Sequence, residues 1–526
     1  MSKALKFGGT SMANADSISQ VRKIIESDPE ADFVVVSAPG KRERSDIKVT
    51  DLLIRFYNEG TTEGRRSVMD AIVKRYTDII EGLGIDLDLS SDFEEIYAAN
   101  ERGSATYDYI VSRGEYLSAK VLSALLGYEF VDAADIVRFD DRGVLDADLT
   151  QAIASERLLT AKKAVVPGFY GMTPGGLIKA FSRGGSDISG AIVARAVSAS
   201  VYENWTDVDG FMVCDPRIVK DPRVIDMVTY RELRELSYMG ASVLHPEAVF
   251  PVSIAGIPTN IRNTFSPSAK GTMIVNYEDL INGKYTRPDG VITGIAGQRD
   301  FVAINIAKQM MNNEIGYCKS LLDVLYDNRI SLEHMPTGID TVTLIIDKPD
   351  KETLARTVAD IKEKCEPTTL EVFDGLALIA VVGHGMSRMK GTASRVCGSL
   401  SDANVNIRMI DQGSSEMNII VAVENSDYEA AIAALKNQFV LYRRALNIKN
   451  GTHRPPLEGG RCPFLSRRKK TKARFSVMTR RRMYKRGQDI STAILSRTSR
   501  RKAKTLTEIS LRQAGEGKTK KRQPRV

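Results

Sequence analysis

The chain has 526 residues, a hydrophobic fraction of 43% and a formal net charge of +8. That length exceeds one ordinary domain and that composition supports real cores, so two or three domains are expected. The charge is lopsided: residues 451–526 hold 24 Lys or Arg against 4 Asp or Glu, which leaves the remainder at about −12.

Cys214, Cys318, Cys365, Cys397 and Cys462 never fall at CxxC spacing. Neither a zinc site nor a disulfide framework is indicated, and a reducing compartment is the simple reading. The apolar run at the N-terminus is too short for a secretory leader. No window reaches the run of about 18 apolar residues that spans a bilayer, so a cytoplasmic protein with no membrane contact is expected.

In chain order, the first segment, residues 1–290, alternates buried-strand runs with amphipathic stretches. Leu5-Lys6-Phe7, Phe33-Val34-Val35-Val36, Ala164-Val165-Val166 and Val201–Trp205 read as strands. Ser67–Leu83, Tyr116–Leu126 and Asp187–Val197 read as helices between them. Such alternation predicts an α/β fold, a mainly parallel sheet sandwiched by helices.

Residues 300–445 differ. They repeat at an offset of 75 positions: Gly316 matches Gly391, Leu325 matches Leu400, and Ile330 matches Val405. Gly338 likewise matches Gly413, and the run Val342–Ile346 matches Met417–Val421. The repeat predicts two copies of one small α+β module, residues 300–370 and 371–445. Residues 451–526 have no hydrophobic periodicity and are expected to be a disordered basic tail.

Four turns carry the chemistry. Lys6-Phe7-Gly8-Gly9-Thr10-Ser11 follows a strand, and adjacent glycines let backbone N–H groups approach phosphate oxygens. It lacks the P-loop spacing, and an ordinary strand-to-helix turn explains it as well. Phe181-Ser182-Arg183-Gly184-Gly185-Ser186-Asp187 opens a helix that Asp187 would cap, with Arg183 a planar fork suited to a carboxylate. Trp205-Thr206-Asp207-Val208-Asp209-Gly210, followed by Asp215-Pro216-Arg217, ends a strand in a polar turn. Ser112-Arg113-Gly114-Glu115 reads as the start of another helix, with Glu115 favoured near its N-terminus. All four fall at strand ends, where open sheets bind ligands.

Together these strings resemble the aspartate kinases of the amino-acid-kinase superfamily. The resemblance runs over about residues 3–445. It also takes in VVVSA at 34–38, VVPGFYG at 165–171 and GASVLHP at 240–246, and the repeat resembles that family's paired ACT domains. It implies ATP as phosphoryl donor with nucleotide-bound Mg²⁺, L-aspartate as acceptor, an amino-acid effector, and a homodimer formed through the ACT-like modules. It implies catalytic roles for Lys6 and Asp187. Lys6, Gly8, Gly9, Thr206, Asp207, Met212 and Arg217 would bind ATP. Arg183 would hold the α-carboxylate, Glu115 the α-ammonium, and Ser37 and Thr50 would flank the substrate. Met311, Glu333, Thr337, Gly338, Asp340, Ser415 and Asn418 are the effector candidates, and no protein-built metal site is implied. Two positions depart from the family pattern: Met212 stands where an aromatic is usual, and Ser242 where Lys is common.

An ionised β-carboxylate needs no general base, since its unperturbed pKa lies near 3.9. The obstacle is bringing that anion to a polyanion, so positioning and charge neutralisation should dominate. Glutamate or nucleoside-monophosphate kinases and a non-catalytic sensor are the rival readings. The ACT-like pair and the SRGE string oppose the first two, and retention of Lys6, Glu115, Arg183 and Asp187 opposes the third. The basic tail would touch nucleic acid only weakly and without specificity.

Overall fold

The computed structural model describes residues 2–450, apart from Arg183, Ser242, His245 and residues 287–290. The basic segment 451–526 lies outside the described residues, and so does the expectation of disorder made for it.

The short apolar runs become buried strands. In order they are β1 (Lys3–Phe7), β2 (Ala31–Val36), β3 (Glu129–Phe130), β4 (Ala164–Pro167), β5 (Tyr170–Met172) and β6 (Ile178–Ala180). Then follow β7 (Tyr202–Thr206), β8 (Met227–Thr229), β9 (Thr259–Asn263) and β10 (Thr272–Val275). The helices between them are α1 (Ala15–Glu26), α2 (Val49–Asn58), α3 (Thr62–Leu83), α4 (Ser90–Glu101), α5 (Tyr107–Leu126) and α6 (Ala133–Ile136). They continue with α7 (Ala147–Ala161), α8 (Gly185–Ala196), α9 (Tyr230–Tyr238), α10 (Phe250–Ile254) and α11 (Tyr277–Ile281).

Eight strands form one sheet in the order β3-β4-β2-β1-β7-β9-β10-β8, with β5 and β6 as a separate ribbon. From β3 to β9 all neighbours are parallel; β10 opposes β9. Alternation sends Leu5, Phe7, Val34 and Val36 to one face, into a core with residues of α1, α2, α3 and α5. Ala4, Phe33, Val35 and Val166 go to the other, against α7 and α8. Burial on both faces explains the uninterrupted apolar runs. From β1 the chain moves to β2 on one side and later returns to β7 on the other. The crevice beyond the carboxyl ends of β1 and β7 is therefore the switch point at which such sheets take ligands.

The second sheet is antiparallel. Its strands are β11 (Gly294–Ala307), β12 (Leu332–His334), β13 (Thr341–Asp347), β14 (Thr369–Val382), β15 (Met409–Asp411) and β16 (Asn418–Glu424), in the order β12-β13-β11-β14-β16-β15. The helices α12 (Tyr317–Asp327) and α13 (Lys351–Cys365) cover one half; α14 (Thr392–Asp402) and α15 (Tyr428–Asn450) cover the other. The long strands β11 and β14 cross the expected borders at 300 and 370. Gly294–Gln298 pair with Leu378–Val382, while Ala303–Ala307 pair with Thr369–Phe373, so each strand serves both modules.

The repeat holds, but not without a gap. Helices α12 and α14 begin 75 positions apart, each after a left-handed glycine, Gly316 or Gly391. Ala307 pairs with Thr341 and Val382 with Asn418, so the inner strands stay 75 apart while the outer ones are 77 apart. The second copy therefore has two extra residues before its last strand. A shift of two leaves every side chain on its original face, which is why an ungapped match kept the apolar positions in register.

Candidate active site

Lys6 lies on β1, on the face that meets α8. There its Nζ sits 2.6 Å from Asp187 Oδ1, with both side chains largely buried. Asp187 is not the helix cap. Gly184, at φ 59°, takes that position, and the Asp187 side chain is left for Lys6 and for Asn204, whose Nδ2 donates at 2.9 Å. Asn204 is the register partner of Lys6 on β7. It was missed in the sequence; the signal was a polar residue inside a buried strand run.

Gly8 and Gly9 leave β1 beside the ends of β2 and β7. The Gly8 N–H bonds the Trp205 carbonyl at 3.0 Å. A Cβ on Gly9 would stand 3.1 Å from the Ala38 carbonyl oxygen, so backbone packs on backbone here. Thr206 ends β7 in the same crevice, its hydroxyl donating to Asp207 at 3.3 Å. Ser37 follows β2, anchored by its N–H to the Phe7 carbonyl at 3.1 Å, and Thr50 lies in the first turn of α2.

Glu115 does not open a helix. Helix α5 starts at Tyr107, capped by the Thr106 hydroxyl at the Tyr109 N–H, so Glu115 sits in its third turn. Gly114, read as a break, is inside the helix because Ala38 packs there: a Cβ would come within 2.7 Å of that of Ala38. Glu115 is buried, and desolvation pushes its pKa up to about 8. The Ala38 N–H and the charges of Arg113 and Lys6 pull the other way. Its Oε2 has no hydrogen-bond partner. Arg113 is itself buried against the rings of Tyr109, Tyr116 and Tyr170 at 4.5–5.1 Å.

Arg217, Met212 and the effector candidates make their described contacts elsewhere. Arg217 is exposed and forked onto Asp215 at 2.7 Å, between Cys214 and Val219, which are buried in the core that holds Tyr428. Met212 bridges Val224. Arg183 and Ser242 lie outside the described residues. Among the effector candidates, Met311 is buried, and Thr337, Gly338 and Asp340 form the turn into β13. Ser415 is exposed, while Glu333 and Asn418 bond Tyr238 and Glu235 of α9. Among the described residues no three His, Cys, Asp or Glu side chains gather as a metal cage. None of the described helices is long and apolar enough to cross a membrane.

The amino acid kinase family model matches residues 1–263, and an ACT domain model matches residues 379–439. The chain is 37% identical over 454 residues to aspartokinase 3 of Bacillus subtilis (strain 168), covering 83% of this chain and 98% of that protein. Among solved structures, the aspartate kinase of Clostridium acetobutylicum is similar with a TM-score of 0.77 at 44% identity, over 83% of this chain and 100% of that one. E. coli aspartokinase III with aspartate and ADP, in an R-state, gives 0.66 at 26% identity, over 84% and 100%. The same enzyme with lysine and aspartate, in a T-state, gives 0.65 at 27%, over 83% and 99%.

Proposed function

The chain belongs to the amino acid kinase family and, within it, to the aspartokinases, and on that premise we propose how its residues divide the work. It is an aspartate kinase: it transfers the γ-phosphoryl group of ATP to the β-carboxylate of L-aspartate, giving 4-phospho-L-aspartate, the first step toward lysine, threonine and methionine. The observation that carries the site assignment is the Lys6–Asp187 pair at the switch point, beside the glycine turn and the buried, half-satisfied Glu115.

Lys6 neutralises the transferred phosphoryl group, held in place by Asp187 and, behind it, Asn204. With the Gly8 N–H held by Trp205, the backbone N–H groups from Gly9 onward are the ones that would face the phosphates. Thr206, Asp207, Met212 and Arg217 complete the nucleotide site; Arg217 would exchange Asp215 for phosphate. Glu115 takes the α-ammonium of aspartate on its free oxygen, Arg183 the α-carboxylate, and Ser37 and Thr50 the space between. Mg²⁺ would enter as a nucleotide-bound ion and screen the charge between the two anions.

Residues 1–290 form the catalytic part, and the two ACT-like modules interleave through β11 and β14. They bind an amino-acid effector, with lysine the first to test, and they pair the chain into a dimer. Leu322 and Tyr326, one helical turn apart on α12 and exposed, suit such an interface. The setting is cytoplasmic, and any contact of residues 451–526 with nucleic acid is weak and separate from phosphotransfer.

The direct test traps the acyl phosphate with hydroxylamine while the acceptor is varied. Aspartate should give hydroxamate and glutamate should not; equal yields from both would overturn the substrate assignment.

A further inference from the structure

Between β2 and α2 runs a loop, residues 39–48, that reaches the glycine turn. Its middle, Lys41 to Ser45, is exposed, while Pro39 and Gly40 at its start are buried. One side chain from outside holds it. Arg75 of α3, 4% exposed, donates to the Gly40 carbonyl at 3.1 Å, to both oxygens of Asp46 at 2.8 and 2.7 Å, and to the Ile47 carbonyl at 3.2 Å. All four of these acceptors belong to the loop.

The next link is backbone. The Gly40 N–H donates to the Gly9 carbonyl at 2.8 Å. A Cβ on Gly40 would stand 2.7 Å from the Gly9 carbonyl carbon and 2.9 Å from the Thr10 nitrogen. Arg75 thus grips one side of Gly40, and the other side of Gly40 is pressed against the turn that faces the phosphates. Burying a guanidinium is costly unless its partners are well placed, and an apolar side chain would anchor a loop more simply. What the arginine adds is a fixed fork, which sets the distance between α3 and the loop. Asp46 is the second jaw: hydrogen bonds from Arg42, with Arg75 opposite, hold its carboxyl well below the usual range.

Resting on the kinase reading above, we infer that Arg75 is a positioning residue for the phosphate-facing glycine turn, acting through Gly40, with Asp46 closing the clamp. It touches no substrate. It fixes where the Gly9 and Thr10 backbone stands, and transition-state donors displaced by about 1 Å lose on the order of a hundredfold in rate. Ser37 and Glu115 are tied elsewhere, to Phe7 and Ala38, so the acceptor contacts they make do not depend on the clamp.

Four variants test this in the hydroxamate assay. Asp46→Asn and Arg75→Lys loosen the clamp, Gly40→Ala displaces the turn directly, and Arg42→Ala removes only the solvent-side partner of Asp46. The first three should lower kcat by about tenfold or more with the KM for aspartate within about threefold, while Arg42→Ala stays within about twofold. Trypsin should cut at Lys41, Arg42 and Arg44 faster in Asp46→Asn than in the wild type. Folded Asp46→Asn and Gly40→Ala proteins with wild-type kcat would overturn the inference. So would a change confined to melting temperature or to the aspartate KM. If Arg75→Lys does not fold, Asp46→Asn decides alone. A wild-type chain inert toward aspartate would sink the kinase reading instead, and the trypsin rates would still tell whether Arg75 and Asp46 hold the loop.

Discussion

The buried Glu115 makes aspartate binding pH-dependent in a calculable way. Its pKa stands at about 8 because burial disfavours the charged form, with Arg113 and Lys6 only partly restoring it. The α-ammonium of aspartate needs the ionised form, which is only about one tenth populated at pH 7. Below pH 8, kcat/KM for aspartate should therefore fall about tenfold per pH unit, while the KM for ATP stays flat. Aspartate binding near pH 7 should also release close to one proton, read by calorimetry in buffers of different ionisation enthalpy. Stability follows the opposite sense. Between about pH 4.5 and pH 8 the native state keeps a proton that the unfolded chain has lost, so stability falls as pH rises through this window. The full shift is worth on the order of 5 kcal/mol. Glu115→Gln should remove this slope, melt higher than the wild type above pH 8, and raise the KM for aspartate by about a hundredfold or more. A flat kcat/KM for aspartate between pH 6 and pH 8 would refute the reasoning, since no proton would then stand between Glu115 and its ligand.

Lys6→Ala should lower kcat by about a hundredfold or more in the hydroxamate assay, because it removes the cation at the transferred group; near-wild-type turnover would take Lys6 out of the centre. Leu322→Glu with Tyr326→Glu should shift the sedimenting species from dimer to monomer, charge being poorly tolerated in the core of an interface; an unchanged mass would move the interface elsewhere. Asn418→Ala should raise the concentration of effector needed for half-inhibition while uninhibited kcat stays within about twofold; an unchanged inhibition curve would remove the contact to Glu235 from the regulatory path.

The sequence carried the fold wherever burial leaves no choice. Leu5–Phe7, Phe33–Val36 and Ala164–Val166 are buried on both faces, and such runs read plainly as strands of a covered parallel sheet. Helix boundaries were less legible. The start of α5 was hidden because Gly114, which ordinarily interrupts a helix, is there to let Ala38 approach. Asp187 carries the same lesson from the other side: a helix-opening Asp looks like a cap, and only the glycine in left-handed geometry before it frees the carboxylate for Lys6. The roles of Asn204 and Arg75 were not legible, because each acts through a partner that only the fold brings to it. A lone polar residue in a buried run does not name its partner until the strands are paired.

Helix α9 carries no motif that singles it out in the sequence, yet the two halves of the protein meet along it. Its residues Glu232, Glu235 and Tyr238, three apart, all reach the regulatory sheet. Glu232 is fully buried and accepts from the Thr229 N–H and hydroxyl, from the Thr293 hydroxyl and from the His384 N–H. Thr293 stands just before β11 and His384 just after β14, so this carboxylate ties the ends of both shared strands to one helix. Glu235 takes the Asn418 amide at 2.6 Å, and Tyr238 donates to Glu333. Leu233 and Leu236 of the same helix pack in the core that also holds Leu378 and Ala380 of β14. Directly after α9 the chain reaches Gly240, at φ 92° beside Gln298 of β11 and the first residue of the GASVLHP string. A ligand that repositions β12 or β16 therefore pulls on α9 through bonds already made. Were Glu333 and Asn418 to hold the effector, the route from that ligand to α9 would be a single hydrogen bond, to Tyr238 or to Glu235.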